Sequence, residues 1–459
     1  MRSPNDLKMQ GGSLNKMTFR IRKRISPFQT ILLGFAGIVL IGSFLLALPI
    51  ASKSREWTPY ADALLTATSA TCVTGLIAYD TASHWSLFGQ IVLLLLIQIG
   101  GMGVISVAAA IAILSGRKIG LFARNTMKEA ISAPELGGVV RLTGFVLKGM
   151  LLIEFVGAVI LAFPFCRDYG AEGVWMAVFH SVSAFCNAGF DLMGDKTGQF
   201  SSLTAYGSDP VVNVAIMLLI IVGGIGFLTW QDVAKNKWHV EKYRMQSKLV
   251  LLTSFVLIVL PAAFFFCFEY SDKPFGERVL MSLFQAVSPR TAGFNTSDLT
   301  RFTDVGLAIM IVLMLIGGSS GSTAGGMKVS TFAVLVASAG SVFHRRREVT
   351  ALKRRIGDDV VKNAAAIAFM YISLFLIAGS LISVIDGLPL KECLFESASA
   401  VATVGLTLGI TPSLSVASKL ILTLLMYLGR VGGLTLIYAA LKNRNSDEGR
   451  LPSEPIAVG

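Results

Sequence analysis

The 459-residue sequence predicts an all-α polytopic membrane protein. It would consist of four span–re-entrant helix–span repeats around one pseudo-fourfold axis, with eight transmembrane helices. Three observations carry that prediction. The chain is 53% hydrophobic and only 15% charged, with a mean hydropathy of +0.67, whereas soluble domains carry about 25% charged residues. Four similar segments, TCVTGL, FCNAGF, PRTAGF and ATVGL, hold Gly75, Gly189, Gly293 and Gly405 at spacings of 114, 104 and 112 residues, each glycine followed by an apolar residue. Finally, 28 of the 40 lysines and arginines fall in five segments that alternate with the repeats, against 10 in the opposite loops.

The repeats follow in order. A basic arm over residues 1–25 precedes the first, 26–116. Its opening apolar run, from near Ile31, is too long for a signal h-region and lacks a small-residue cleavage site, so it reads as a span. Tyr60 to Ala70 is too short to cross the roughly 30 Å hydrocarbon layer and suits a re-entrant helix; the second span begins near Ile91. The second repeat, 117–235, opens with a basic connector and sets spans from near Phe145 and Val211 around a short helix from Gly173 to Phe185. The third, 236–343, has spans from near Leu249 and Val305 around Gly276 to Ser288. The fourth, 344–441, follows another basic connector and has spans from near Asn363 and Ala417 around Pro389 to Ala402. A tail, 442–459, ends the chain.

The charge asymmetry puts both termini and the three connectors in the cytoplasm. Because basic residues flank spans at every crossing, they give no reason to expect nucleic acid as a partner; membrane lipids are the expected surroundings. The five cysteines lack metal-ligand spacing and suggest neither a disulfide framework nor a zinc site. A glycine pair follows each glycine segment, at Gly100-Gly101, Gly223-Gly224, Gly317-Gly318 and Gly432-Gly433. Four such pairs at similar offsets place them near a crowded central axis. Small residues before each glycine, Ser69, Ser183 and Ser399 among them, would let four short helices converge. Their C-terminal ends would then favour a cation between them.

Glycine in four converging loops meets a specific need. A dehydrated cation requires closely spaced oxygens, and aiming successive carbonyls at one axis demands backbone conformations that glycine tolerates. The expected filter comprises Val73, Thr74 and Gly75; Asn187, Ala188 and Gly189; Thr291, Ala292 and Gly293; and Thr403, Val404 and Gly405. The fourth loop begins like the TVGYG loop of potassium channels.

A second segment breaks the apolar stretch from Val305 to Val342: Gly317, Gly318, Ser319, Ser320, Gly321, Ser322, Thr323, Ala324, Gly325 and Gly326, followed by Met327 and Lys328. Ten residues with five glycines do not hold a helix, and non-helical backbone at this depth belongs beside protein or water. It is not a nucleotide-binding P-loop, because Met327 stands where that motif needs lysine. We expect a gating loop, 317–328. Arg430, inside the apolar run from Ala417, is costly to bury; it should face the same path and bond the loop's carbonyls. Lys328 just after the loop either takes part in the switch or reaches a water-filled vestibule. His180 and Glu396 both stand nine residues before a loop glycine and suggest local hydrogen bonding, while Glu154 and Gln98 suggest interhelical contacts.

On these loops, and on the glycine-rich break, the sequence resembles the Ktr/Trk/HKT superfamily of potassium translocating subunits from about Ile25 to Leu441, and in size its KtrB-type members. The resemblance implies a pseudo-fourfold pore in the bacterial cytoplasmic membrane, with K+ held at filter backbone carbonyls as the substrate ion and Na+ as an activator. Some plant relatives carry serine at the first filter position and pass sodium; Gly75 here implies potassium. It further implies a homodimer and a cytosolic RCK-type ring of the KtrA kind binding ATP, ADP or NAD(H), so that nucleotide acts only through that partner. The matching arginine and glycine-rich loop would close the pore. The chain would then be no enzyme, and no nucleophile, base or metal constellation argues otherwise. A sodium-coupled or sodium-conducting transporter of the same superfamily is the alternative; a symporter with inverted repeats fits less well, since all four repeats keep one orientation.

Overall fold

The computed structural model describes residues 26–103, 120–130 and 138–433. They are mostly helical, and their apolar helices make this an integral membrane protein. The arm, the tail, the ends of the first and fourth repeats (104–116 and 434–441) and parts of the second repeat's connector lie outside the described residues.

Each repeat opens with a long apolar helix: α1 (Pro27–Ala47), followed by the short α2 (Tyr60–Thr71) and then α3 (Leu87–Met102). A ten-residue connector helix, α4 (Leu121–Ala130), leads to α5 (Val139–Tyr169), the short α6 (Glu172–Phe185), and α7 (Pro210–Gly224), which turns into α8 (Phe227–Asn236). The third repeat has α9 (Met245–Phe264), α10 (Phe275–Val287), α11 (Asp304–Leu315) and α12 (Val329–Phe343). After a two-stranded hairpin (β1, Thr350–Ala351; β2, Arg354–Arg355) come α13 (Asp358–Asp386), α14 (Leu390–Val401) and α15 (Val416–Val431). The four short helices begin and end within two residues of expectation.

Local chemistry starts these elements. Ser26 and Gln29 form a capping box on α1, with Pro27 pre-set for the first helical position. The second helix of every repeat starts on a capping side chain. Ser86, Asp209, Thr303 and Ser415 each accept a first-turn amide hydrogen, a contact that stabilises a helix by about 1 kcal/mol.

The ends of these second helices depart from expectation. Continuous helices long and apolar enough to cross a membrane number four among the described residues: α1, α5, α9 with the π-turn that extends it to Glu269, and α13. The α7–α8 pair, bent by 99°, makes a fifth if taken as one span. The helices α3, α7, α11 and α15 all stop after 12 to 16 residues, where about 20 are needed. A break like the one expected only in the third repeat is therefore also present in the second, between α7 and α8, while α3 and α15 end next to residues outside the described ones. A glycine of positive φ follows the end of three of these helices: Gly103 (φ +79°), Gly226 (φ +92°), which stands at the α7–α8 bend, and Gly432 (φ +86°).

Packing is cyclic. Each long helix lies against the short helix of its own repeat, and each second helix packs on the short helix of the next: α3 on α6, α7 on α10, α11 on α14, and α15 back on α2. The last of these closures is also ionic. Lys419 Nζ lies 2.7 Å from Asp62 Oδ1, both side chains nearly buried, and the Tyr79 hydroxyl donates to the same carboxylate at 3.2 Å. Two large hydrophobic cores result among the described residues, one chiefly from the first two repeats and one from the last two, beside two small clusters. Each reaches into its neighbour: Phe284 and Phe294 join the first, Leu65 and Leu76 the second.

Candidate functional site

The four glycine loops meet. A Cβ placed on Gly75 would stand 2.7 Å from the carbonyl oxygen of Ala188, and one on Gly189 would stand 2.7 Å from that of Ala292. A Cβ on Gly293 would collide with the carbonyl of Val404, and one on Gly405 with that of Thr74. In every case the obstacle is the carbonyl just before the glycine of the next repeat, and the fourth contact returns to the first. All twelve residues expected at this site are buried, and the structure brings all twelve together.

The backbone there follows one rule. The loop glycines have φ of +99°, +70°, +81° and +96°. Two residues earlier, Val73 (+51°), Asn187 (+59°), Thr291 (+78°) and Thr403 (+53°) are left-handed as well. Three of these are β-branched, for which positive φ is a genuine outlier, and strain of this kind concentrates at functional sites. Positive φ at alternate positions takes each loop out of the regular extended and helical conformations. Asn tolerates this conformation, but nothing in the residue types Val and Thr announced it.

The short helices hold the loops from behind. The amides of Thr74, Ala188 and Val404 donate to the carbonyls of Ser69, Ser183 and Ser399, each at 2.8 Å. The Ser69 and Ser399 hydroxyls accept from the amides of Gly75 and Gly405, each at 2.9 Å. Ser183 Oγ has no such partner, and in the third repeat, with Val287 at that place, Ser288 Oγ donates instead to the Phe294 carbonyl. The small residues read as packing aids therefore also tie down buried amides.

The glycine step of the second helices fits beneath. A Cβ on Gly100 would strike the Thr71 carbonyl, one on Gly223 that of Phe185, and one on Gly429 that of Val401. Each obstacle stands four residues before a loop glycine. Gly429 thus occupies the place expected of Gly432, whose Cβ would meet nothing within 4 Å. The expected fourth pair was three residues too late.

The segment after α11 is non-helical from Ile316 to Lys328. Ile316 and Met327 form a bridge, Gly317 N–H donates to the Met327 carbonyl at 2.8 Å, and Val329 N–H to that of Gly318 at 2.9 Å, closing the segment into a loop. It is pinned to the second repeat by Ser319 N–H to the Gly224 carbonyl (2.8 Å), Phe227 N–H to the Gly321 carbonyl (2.7 Å) and Thr323 Oγ1–H to the Phe185 carbonyl (3.1 Å). Toward the fourth repeat there is no room for larger residues, since a Cβ on Gly325 would meet the Thr403 side chain and one on Gly326 the Ala402 backbone. Arg430 joins what remains: one guanidinium nitrogen donates to the Thr323 carbonyl, the other to those of Gly100 and Gly101. Lys328 Nζ folds back on the loop, donating to the carbonyls of Ala324 (2.8 Å) and Gly325 (3.0 Å). A cavity of about 400 Å³ adjoins the loop, lined by Gly321, Ser322, Lys328, Arg430, Met102 and Tyr371 among others, and by none of the twelve ring residues.

The remaining polar residues have local tasks. His180 Nδ1 lies 2.7 Å from the Met176 carbonyl, and Nε2 accepts from Leu192 N–H at 3.4 Å. Glu396 accepts from the Thr411 hydroxyl. Both brace the chain where it leaves a glycine loop. Among the described residues no group of three His, Cys, Asp or Glu side chains could hold a metal ion; the oxygens that abut the ring glycines are main-chain carbonyls.

Over residues 27–449 the sequence matches the TrkH family, described as cation transport protein. It is 38% identical over 455 residues to the potassium/sodium uptake protein NtpJ of Enterococcus hirae, covering 96% of this chain and 99% of that one. It is 36% identical to the Ktr system potassium uptake protein B of Bacillus subtilis, covering 95% and 97%. The crystal structure of the potassium transporter TrkH from Vibrio parahaemolyticus superposes with a TM-score of 0.70 at 18% identity, over 90% of this chain and 84% of that chain, a likeness of fold. With a family match along nearly its whole length and relatives this similar, the chain belongs to the TrkH family of cation transport proteins, as a KtrB-type subunit.

Proposed function

We propose that the chain takes up potassium across the bacterial cytoplasmic membrane through a filter of main-chain carbonyls. The four glycine loops form that filter, and the loop 317–328 gates it. The observation that carries the reading is the closed succession of contacts in which each loop glycine abuts the carbonyl before the next. A cation stripped of water needs oxygens from all sides, and four loops in that arrangement supply them without net negative charge. The repeats 26–116, 117–235, 236–343 and 344–441 each contribute two crossings, eight in all, with the arm and tail cytoplasmic as the lysine and arginine distribution favours. The Gly317–Lys328 loop stoppers the path on the side of the short helices' C-terminal ends, with Arg430 clasping it and placing a positive charge below the filter.

The working unit is a homodimer on a cytosolic RCK-type ring that binds ATP, ADP or NAD(H), which frees the loop when the activating nucleotide is present. Support comes from relatives named as components of a Ktr system and from the exposed basic run Arg345, Arg346 and Arg347 beside the β-hairpin. Sodium is a second permeant or activating ion, a reading favoured by the name of the Enterococcus relative.

Potassium flux into liposomes holding only the purified chain, driven by a potassium gradient and repeated with sodium, tests the proposal. Gradient-driven potassium flux above sodium flux is expected. Absence of flux in both the wild type and an Arg430→Ala variant would sink it.

A further inference from the structure

Two polar side chains in the membrane interior have no part in the filter or the gate described so far. Glu154, in the middle of α5, is buried, and Gln98, in α3, donates from Nε2 to both of its carboxylate oxygens at 3.1 and 3.0 Å. Polar pairs between membrane helices often serve only as adhesive. The place of this pair argues for more. Gln98 lies just before the last turn of α3, and that turn carries the Gly100 and Gly101 carbonyls that receive Arg430. The last carbonyls of a helix lack their regular partners, that of Gly100 taking the capping Gly103 N–H at 3.0 Å, and the C-terminal end attracts cations. The turn is thus a receptor for the guanidinium, and its position decides whether Arg430 can reach it and the Thr323 carbonyl together.

The opposite face of the turn is held by the second repeat. A Cβ on Gly101 would stand 2.6 Å from Cys186 Sγ, and that sulfur lies 3.8 Å from Glu154 Oε1 and 3.9 Å from Gln98 Oε1. The Ser181 hydroxyl donates to the Glu154 main-chain carbonyl at 2.6 Å, fixing α5 against α6. A continuous set of contacts runs from α5 through Gln98 to the end of α3, then through Arg430 to the gating loop.

We infer that Gln98 and Glu154 are positioning residues for the gate: their contact sets the depth of the α3 terminus so that Arg430 bridges it to the loop. The inference rests on the gate reading above. Removing one partner would leave a buried polar group unsatisfied, whereas replacing both with apolar side chains is far better tolerated. The test therefore uses the double variant Gln98→Leu/Glu154→Leu, in the wild-type and the Arg430→Ala backgrounds, with a contact-preserving exchange, Gln98→Glu/Glu154→Gln. Potassium leak through the purified chain in liposomes, without any cytosolic partner, is the readout.

The apolar pair should raise leak about three- to tenfold, and raise it no further once Arg430 is gone. The exchange should leak like the wild type. No rise in the wild-type background overturns the inference, as does an equal rise in both backgrounds, which would mark the pair as adhesive only. An exchange variant as leaky as the apolar pair also overturns it, and it decides the matter if the apolar pair fails to assemble. If Arg430→Ala alone leaves leak unchanged, the gate reading itself has failed; if it raises leak and the apolar pair does not, only this inference has.

Discussion

Gly405→Ala isolates what the ring contributes from what left-handed backbone costs. Two glycines in the same loop, Gly405 and Gly409, have nearly the same φ, +96° and +94°. An alanine at either pays a conformational penalty of about 1–2 kcal/mol. Only Gly405 has an obstacle: its Cβ would collide with the Thr74 carbonyl and stand 2.9 Å from Gly75 Cα, whereas a Cβ on Gly409 meets nothing within 4 Å. Both obstructing groups are backbone, so relief requires the first and fourth loops to move apart. An added methyl in a close-packed site costs about 1–3 kcal/mol, and every 1.4 kcal/mol is a factor of ten in an equilibrium. Gly405→Ala should therefore lower potassium uptake by about tenfold or more beyond Gly409→Ala, and narrow the preference for potassium over sodium. Rubidium-tracer uptake in a potassium-uptake-deficient bacterium, normalised to membrane protein, measures both. Equal uptake by the two variants would refute the reasoning, since backbone strain alone would then account for the loss.

The other predictions concern what holds the ring and the loop. Arg430→Ala removes charge-assisted bonds worth about 1.5–3 kcal/mol each and should raise leak in liposomes by at least tenfold; an unchanged leak with normal assembly would count against the clasp. Ser69→Ala and Ser399→Ala each strand a buried glycine amide and should cost about 1–3 kcal/mol in melting experiments while eroding selectivity. Ser183→Ala, whose hydroxyl has no partner, should change neither. Lys419→Met alone leaves Asp62 buried without its cation, a loss of about 3–5 kcal/mol; Lys419→Met with Asp62→Leu should recover most of it, as thermal unfolding in detergent will show.

Much of this architecture was legible because it is periodic. Glycine loops every 110 residues or so, short helices between longer apolar runs and basic connectors are all local signals, and the short helices appear within two residues of where composition puts them. The serine of ATSATCVTGL was visible too, but not its task, since a hydroxyl that packs and one that accepts an amide look the same in a row of letters. Positive φ at Val73, Thr291 and Thr403 runs against the propensity of those residues and is imposed by the neighbouring loops. The fourth glycine step was placed at Gly432 because a doubled glycine is conspicuous; the single Gly429 is the one against the Val401 carbonyl. The grip of Arg430 on Gly100 joins residues 330 positions apart, and no periodicity reports a contact of that span.

One polypeptide, rather than four identical ones, encircles the axis, and this has a mechanical consequence. A tetramer of equal chains would have to place the same obstruction in every quadrant, where four copies would compete for one bore. Here, among the described residues, the thirteen-residue interruption from Ile316 to Lys328 lies in the third repeat, Arg430 of the fourth bonds it, and main-chain carbonyls of the first two hold that arginine and the interruption itself. If that interruption is the gate proposed above, unequal parts would let a single plug be inserted and withdrawn from one side without disturbing the near-symmetric ring of glycine loops.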